Sequence, residues 1–262
     1  MNRLDSQENF LRNQFKKSCL NNMYIACYDE LDSTMNVASK IAPQIGIDNF
    51  ALITSELQTA GRGRNDHVWE SPNNGNLYFT FLINVKYLPK DVSSFSLIVG
   101  VVLLELIREK CNINNNELIL KWPNDILVSD GRKLSGILIE TEKLSDGYSI
   151  LIGIGLNLAD APCNNSVSLS QICKLDISKE SLLSEIIISL SEAWQKFLNG
   201  GFSIYKELWL KNCGFIGKQT EIYSANTVTK GEMVGITDTG ALLLDVDGVI
   251  KEFYSGDVYT KV

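Results

Sequence analysis

Apolar and polar residues follow two different periods along this chain. Continuous apolar runs, or apolar residues at every second position, are typical of strands. They predict strands at residues 24–28, 50–55, 77–85, 118–121, 126–128, 134–141 and 148–156. Apolar residues three and four positions apart predict amphipathic helices at residues 5–20, 34–41, 95–110, 179–198 and 204–211. The mixture of helices and strands indicates an α+β chain.

The pattern changes after Gly214, where strands follow one another without helices. Short β-rich runs are predicted at residues 220–223, 230–236, 241–246 and 249–253. Turn sequences separate them at Thr239-Gly240 and Asp247-Gly248. We therefore predict an N-terminal helical extension at residues 1–23, a larger α/β domain at 24–214 and a small β domain at 215–262.

Composition narrows the classes of function. The 262 residues are 45% hydrophobic, enough for a packed core, and a net charge of −7 disfavours nucleic-acid binding through a broad basic surface. The sequence contains neither a run of about 18 apolar residues nor a signal-peptide core, so no membrane partner is expected. The six cysteines form no CxxC pair and are interpreted as reduced thiols of a cytoplasmic protein. With His67 as the single histidine, no protein metal site is predicted.

A long polar loop at residues 57–75, called the flap below, contains the sequence GRGRN at residues 61–65. Glycines let backbone amides approach a ligand, and arginines offer forked donors that match phosphate and carboxylate oxygens. The flap therefore suits an anionic ligand. A solvated arginine turn is an equal alternative on this loop alone, although a loop of this length in a compact domain is usually functional or disordered.

Three further motifs follow the flap in order. They are KWPND at residues 121–125, RKLSGIL at 132–138 and GIGLN at 153–157. Together with GRGR at 61–64, this series resembles that of the biotin protein ligases, and the likeness extends over about residues 24–262. Each motif is weak by itself, whereas the series in register is specific.

The resemblance implies an α+β fold with a mixed-sheet, class II synthetase-like catalytic domain and a small C-terminal β-barrel. It implies a ligase that forms biotinyl-5′-AMP from biotin and ATP with Mg²⁺, then transfers biotin to a lysine of a biotin carboxyl carrier protein. Family members occur as monomers and as homodimers, so both states stay open. The segment before residue 24 is too short for a helix-turn-helix domain, which predicts the form without an N-terminal DNA-binding domain.

Adenylation joins a carboxylate to a phosphate, so the site must supply positive charge. By resemblance, Lys133 meets the biotin carboxylate, Arg64 holds the phosphate of the adenylate and Lys121 binds the ATP phosphates. Asp125 fits three roles: orienting ATP with Mg²⁺, accepting the amine proton during transfer, or capping a turn. The predicted catalytic residues are Arg64, Lys121, Asp125 and Lys133.

The resemblance also implies the ligand-binding residues. Those for biotin are Ser33, Thr34, Gln58, Gly61, Arg62, Lys133, Gly136, Gly153 and Gly155. Those for ATP and the adenylate are Arg64, Trp69, Lys121 and Asn157. Hydroxyl and amide side chains suit a neutral ureido ring, and strand glycines are expected to leave room for a ligand, although they also mark bulges. Trp69 is interpreted as a cover for the adenine or the flap, with core packing as the alternative.

The flap departs from the family pattern where Asp66 and His67 replace the usual glycine and arginine. A neutral His67 predicts a weaker phosphate contact than arginine. Two other functions stay open. One is a lipoate–protein ligase, although its usual RRxxGGG loop is absent. The other is a non-catalytic biotin or nucleotide sensor, which intact Arg64, Lys121 and Lys133 disfavour.

Overall fold

The computed structural model describes residues 2–16, 18–114, 117–224 and 227–260, so Met1, Lys17, Lys261 and Val262 of the predicted terminal domains lie outside the described part. The helices are α1 Asp5–Phe15, α2 Thr34–Ile41, α3 Phe95–Cys111, α4 Leu169–Ile172, α5 Lys179–Gly200 and α6 Ser203–Asn212. The strands are β1 Tyr24–Leu31, β2 Phe50–Gln58, β3 Leu77–Val85, β4 Leu118–Lys121, β5 Asp125–Val128, β6 Lys133–Leu144, β7 Gly147–Leu156, β8 Gln219–Ser224, β9 Thr227–Ile236, β10 Leu242–Val246, β11 Val249–Phe253 and β12 Asp257–Thr260. None of the described helices has the length and apolar character needed to cross a membrane.

Seven strands form one mixed sheet in the order β1-β2-β3-β7-β6-β5-β4. The edge pair β1 and β2 is parallel, and the other neighbouring pairs are antiparallel. This sheet confirms the predicted mixed-sheet α+β domain, and its strands lie where the apolar runs placed them. Central β3 is buried at every position, as its mostly apolar sequence requires, and its two polar residues, Thr80 and Asn84, form hydrogen bonds.

Helices cover the two faces of this sheet unequally. The helices α1, α3 and α5 bury one face, which includes Ile137 of β6 and Ile154 of β7. The short helix α2 covers part of the other face, where Leu138 and Leu151 lie. Because side chains alternate along a strand, the glycines of β6 and β7 at positions 136, 153 and 155 lie on this second face. The candidate site occupies the area of this face beside α2.

The C-terminal strands form a separate antiparallel sheet in the order β11-β10-β9-β8-β12. It confirms the predicted small β unit, and the predicted turns at Thr239-Gly240 and Asp247-Gly248 join β9 to β10 and β10 to β11. Since β11 and β12 lie at opposite edges, the described residues form an open sheet, not the closed barrel that the resemblance implied. Trp122 ties this sheet to the larger domain, because its Nε1 donates to the Gly240 carbonyl at 3.0 Å.

Two helices differ from expectation. The helix predicted over residues 5–20 ends at Phe15, where the Ser18 amide and hydroxyl both donate to the Phe15 carbonyl, at 3.0 and 2.9 Å. This bonding replaces the next helical turn. Helix α4 was not predicted, because it is too short to show an apolar period. It begins with a capping box formed by Ser168 and Gln171, which is a recognisable local sequence.

Candidate active site

A cavity of about 210 Å³ lies on the second face of the large sheet, between the flap, α2 and β12. Its floor is formed where β6 and β7 pair Gly136 with Gly155 and Leu138 with Gly153. The flap contributes Arg62, Arg64 and Trp69 from above. The predicted site residues that line this cavity are Ser33, Thr34, Gln58, Arg62, Arg64, Trp69, Lys121, Asp125, Lys133, Gly136, Gly153 and Gly155.

Two lysines reach the cavity from adjacent strands. Lys133 begins β6, and its Nζ lies 2.7 Å from Asp125 Oδ1 at the start of β5. Lys121 ends β4 and lies directly across from Asp125 in the antiparallel register. Its Nζ lies 5.2 Å from the centre of the Tyr259 ring. Burial lowers the pKa of Lys121, while the carboxylates of Asp125 and Asp257 act in the opposite direction.

The flap makes more contacts within the protein than the sequence indicated. Its backbone folds back on itself, since Gly63 N donates to the His67 carbonyl at 2.7 Å and Trp69 N donates to the Gly61 carbonyl at 3.0 Å. Arg62 pairs with Glu140 of β6 at 2.5 Å. These contacts hold the GRGR sequence over the sheet, where both arginines line the cavity.

Arg64 joins the flap to the C-terminal sheet. Its Nη1 lies 3.3 Å from Asp257 Oδ1 and 3.3 Å from Asn124 Oδ1. Both Nη atoms also donate to the Gly256 carbonyl, at 3.3 and 3.2 Å. Asn65, which has a positive φ of 50°, donates from Nδ2 to Asp257 Oδ2 at 3.0 Å. The sequence predicted that Arg64 binds a phosphate, but it did not indicate these partners within the protein.

Polar groups at the start of α2 form the end wall of the cavity. Gln58 Oε1 accepts from Thr34 N at 2.8 Å and from Thr34 Oγ1 at 3.1 Å. Thr80 Oγ1 donates to Thr34 Oγ1 at 2.9 Å, and Gln58 Nε2 donates to Ser71 Oγ at 2.9 Å. Ser33 is the N-cap residue, yet its buried Oγ has no hydrogen-bond partner among the described residues. This hydroxyl is available to a ligand in the cavity.

The glycines on the cavity floor leave room for two bulky side chains. A Cβ on Gly136 would lie 2.8 Å from Trp69 Cζ3, and one on Gly155 would overlap the same indole. A Cβ on Gly153 would lie 2.7 Å from Met35 Sδ. Where the sequence predicted space for a ligand on the sheet, the structure therefore places Trp69 and Met35. The indole Nε1 of Trp69 is buried without a partner among the described residues.

Two predicted positions do not line this cavity. Gly61 is buried at the base of the flap, where a Cβ would overlap the Trp69 carbonyl oxygen, and it lines a second pocket between the flap and β6. Asn157 is buried, its Nδ2 donates to the Lys133 carbonyl at 3.2 Å, and its Oδ1 has no partner among the described residues. His67 lines the cavity beside Val68. The backbone turn that includes Asp66 is described, and its side chain lies outside the described part.

Sequence reasoning missed the contribution of β12. Asp257, Val258 and Tyr259 line the cavity from the C-terminal sheet, and Met35 lines it from α2. No motif marks residues 257–260, and this strand has a single buried apolar residue, Val258, so it shows no apolar run. The described residues include no group of three or more histidine, cysteine, aspartate or glutamate side chains placed to hold a metal ion.

Two family profiles match the chain in the order of its two sheets. The Biotin/lipoate A/B protein ligase family matches residues 28–157, and the Biotin protein ligase C terminal domain matches residues 215–260. The first match contains the flap and the three motifs that follow it. The second contains β8 to β12 and therefore Asp257.

Individual proteins agree with these profiles. The bifunctional ligase/repressor BirA of Escherichia coli is 32% identical over 78% of this chain, which spans 64% of that relative's length. The biotin–[acetyl-CoA-carboxylase] ligase of Paracoccus denitrificans is 28% identical over 81% of this chain and 90% of its own. The solved biotin protein ligase from Aquifex aeolicus, in complex with biotin and ATP, superposes with a TM-score of 0.76 and 25% identity, covering 91% of this chain and 99% of that one.

Proposed function

Because this chain belongs to the biotin protein ligase family, we propose that it is itself a biotin–protein ligase. It forms biotinyl-5′-AMP from biotin and ATP, and then transfers biotin to a lysine of a biotin carboxyl carrier protein. The observation that carries the proposal is the convergence of Arg62, Arg64, Lys121 and Lys133 on one cavity. Beside them lies the buried Ser33 hydroxyl, which has no partner in the described part of the chain. Cations suit the two anionic reactants, and the hydroxyl suits a neutral ring.

In the first step, a carboxylate oxygen of biotin attacks the α-phosphorus of ATP, and the bond to pyrophosphate breaks. Both reactants are anions, so their approach requires positive charge from the protein. Lys133, at the floor of the cavity, binds the biotin carboxylate. Lys121 and Arg64 bind the phosphates. Binding holds the biotin carboxylate and the α-phosphate in line. This lowers the activation barrier of adenylation, because the entropy of aligning the two groups is lost on binding and not in the reaction step.

Asp125 connects the two steps. Its carboxylate lies against Lys133 in the ligand-free structure. Together with the ATP phosphates it would hold Mg²⁺, which usually binds through one or two carboxylates plus phosphate oxygens and supplies charge neutralisation there. In the second step, the carrier lysine amine attacks the acyl carbonyl and AMP leaves. Asp125, one of the two carboxylates that line this cavity, is our candidate to accept the amine proton.

The two ligands are assigned to adjoining parts of the site. The ureido ring of biotin binds Ser33, Thr34, Gln58 and the flap residues Gly61 and Arg62, and its tail runs over Gly136, Gly153 and Gly155 toward Lys133. Adenine binds near Trp69 and the unpartnered Oδ1 of Asn157. Because Trp69 and Met35 lie over the glycines, both side chains move when the tail binds. Residues 24–214 form the catalytic unit, and residues 215–262 close it through β12.

The first half-reaction gives the fastest test. The protein is incubated with ATP, Mg²⁺ and either biotin or lipoate, and acyl-adenylates are measured by mass spectrometry. We expect biotinyl-adenylate and no lipoyl-adenylate. Lipoyl-adenylate would identify a lipoate–protein ligase, and biotin binding without any adenylate would identify a sensor.

The pH dependence of adenylation should report Lys121. Because burial lowers the pKa of this lysine, it loses its proton as pH rises at a lower pH than an ordinary lysine does. The value of kcat/KM for ATP, which reports groups of the free enzyme, should therefore fall on the alkaline side. Lys121→Arg stays charged, so its alkaline limb should move to higher pH, whatever its maximum rate. Identical alkaline limbs in both proteins would show that Lys121 is not the titrating group.

Two further questions concern the cellular location of the reaction and the oligomeric state of the protein. We place the reaction in the cytoplasm, where ATP and the carrier protein are available. Monomer and homodimer are both compatible with the resemblance, and analytical ultracentrifugation distinguishes the two states.

A further inference from the structure

Asp257 lies at the start of β12 and holds two consecutive residues of the flap. Its Oδ1 lies 3.3 Å from Arg64 Nη1, and its Oδ2 accepts from Asn65 Nδ2 at 3.0 Å. The neighbouring Gly256 carbonyl accepts from both Nη atoms of Arg64. The Asp257 carboxylate and the Gly256 carbonyl therefore bind the guanidinium of Arg64. The proposed function assigns this same guanidinium to the phosphate of the ligand.

These contacts join parts of the chain that are 192 and 193 residues apart. Both members of the ion pair are partly buried, with 22% of the Arg64 side chain and 32% of the Asp257 side chain exposed. Both also line the cavity. The C-terminal sheet thus reaches the ligand site through an acidic residue, although the ligand itself is an anion.

A carboxylate beside Arg64 has opposite effects on the flap and on the ligand. It keeps the flap against β12 when Arg64 has no other anionic partner. It also repels an incoming phosphate and competes with it for the same guanidinium. Arg64 can bind the phosphate fully only when it exchanges Asp257 for the ligand.

We propose that Asp257 is a positioning residue, a latch that holds Arg64 and the flap against β12 and is displaced by the ligand phosphate. This proposal rests on the proposed function, because it assumes that a phosphate enters this cavity. According to this proposal, the C-terminal sheet influences both the affinity for the nucleotide and the opening of the flap. An ion pair with only a local structural role would influence flap opening but not nucleotide affinity.

The test compares Asp257→Asn with Asp247→Asn. Asparagine keeps the shape of the side chain and removes the charge. Asp247 lies in the turn between β10 and β11, does not line the cavity and has a positive φ of 55°, which asparagine also adopts readily. The control therefore removes the same charge from the same sheet without touching the flap.

Two measurements are made on each protein. The first is the dissociation constant of α,β-methylene ATP in the presence of biotin and Mg²⁺, since this analogue cannot form the adenylate. Asp257→Asn should bind it about two- to fivefold more tightly, because the competing carboxylate is gone. The second is hydrogen exchange across residues 59–70 without ligand, which should be faster in Asp257→Asn. Asp247→Asn should match the unmodified protein in both.

Each other outcome contradicts the latch. Unchanged or weaker nucleotide affinity in Asp257→Asn would show that Asp257 does not compete with phosphate. Equal tightening in Asp247→Asn would assign the effect to net charge. Unchanged hydrogen exchange would show that Asp257 does not hold the flap. If the unmodified protein binds no nucleotide analogue, the proposed function fails as well, whereas equal binding by all three proteins contradicts the latch alone.

Discussion

Arg64→Gly is expected to release biotinyl-adenylate into solution, where it labels proteins that are not substrates. Arg64 is the flap cation that faces the cavity beside Asn124, so it is the best-placed group to hold the adenylate phosphate. Losing a hydrogen bond to a charged group costs about 1.5–3 kcal/mol, which corresponds to roughly tenfold to 150-fold faster escape. Adenylate should still form, because Lys121 and Lys133 remain. The measurement is biotin incorporation into albumin mixed with each protein.

Glycine also adds flexibility to the flap, so a control must separate charge from mobility. Asn65→Gly loosens the adjacent position, which already has a positive φ, and keeps Arg64. It should label albumin far less than Arg64→Gly does. If Arg64→Gly makes adenylate but labels albumin no more than the unmodified protein, Arg64 is not the retaining residue.

Lys133→Ala is expected to slow adenylate formation by about 2–4 kcal/mol, roughly 30-fold to 1000-fold. The biotin carboxylate would lose its charged partner, and Asp125 would lose the ion pair that it makes at 2.7 Å. The fold should survive, because 33% of the Lys133 side chain is exposed at the start of β6. The measurement is the rate of biotin-dependent pyrophosphate release, together with the melting temperature.

Lys143→Ala provides the matched control. Lys143 lies on the same strand, is exposed and does not line the cavity, so its removal should change neither the rate nor the melting temperature. Near-normal turnover of Lys133→Ala would refute the role of Lys133. A large drop in melting temperature would instead indicate a structural role.

The period of apolar residues was sufficient to predict most of the fold. The buried strand β3 is mostly apolar, and α3 carries a helical stripe of apolar residues, so each could be located from local sequence. Elements without a period were missed. The strand β12 has only one buried apolar residue, unlike the equally short but apolar β4, and α4 has four residues, which is too short for a helical period.

The motifs predicted which side chains share a cavity. KWPND joins β4 to β5, RKLSGIL and GIGLN lie largely on β6 and β7, and GRGR lies in the flap above them. Partners that come from distant parts of the chain could not be predicted. Nothing local to Arg64 indicates that Asp257 will bind it. Likewise, the spacing of Gly136 and Gly155 predicts an open floor but does not show that Trp69 lies on it, since the indole arrives from the flap.

The central claim is tested most directly by transfer of biotin to a carrier. A purified biotin carboxyl carrier domain, and a variant whose acceptor lysine is arginine, are each mixed with the protein, Mg²⁺, ATP and biotin, and their intact masses are measured. We predict one added biotin on the unmodified carrier, dependent on ATP, and none on the arginine variant. If the carrier accepts biotin from another biotin ligase but gains none from this protein, the proposed function is wrong.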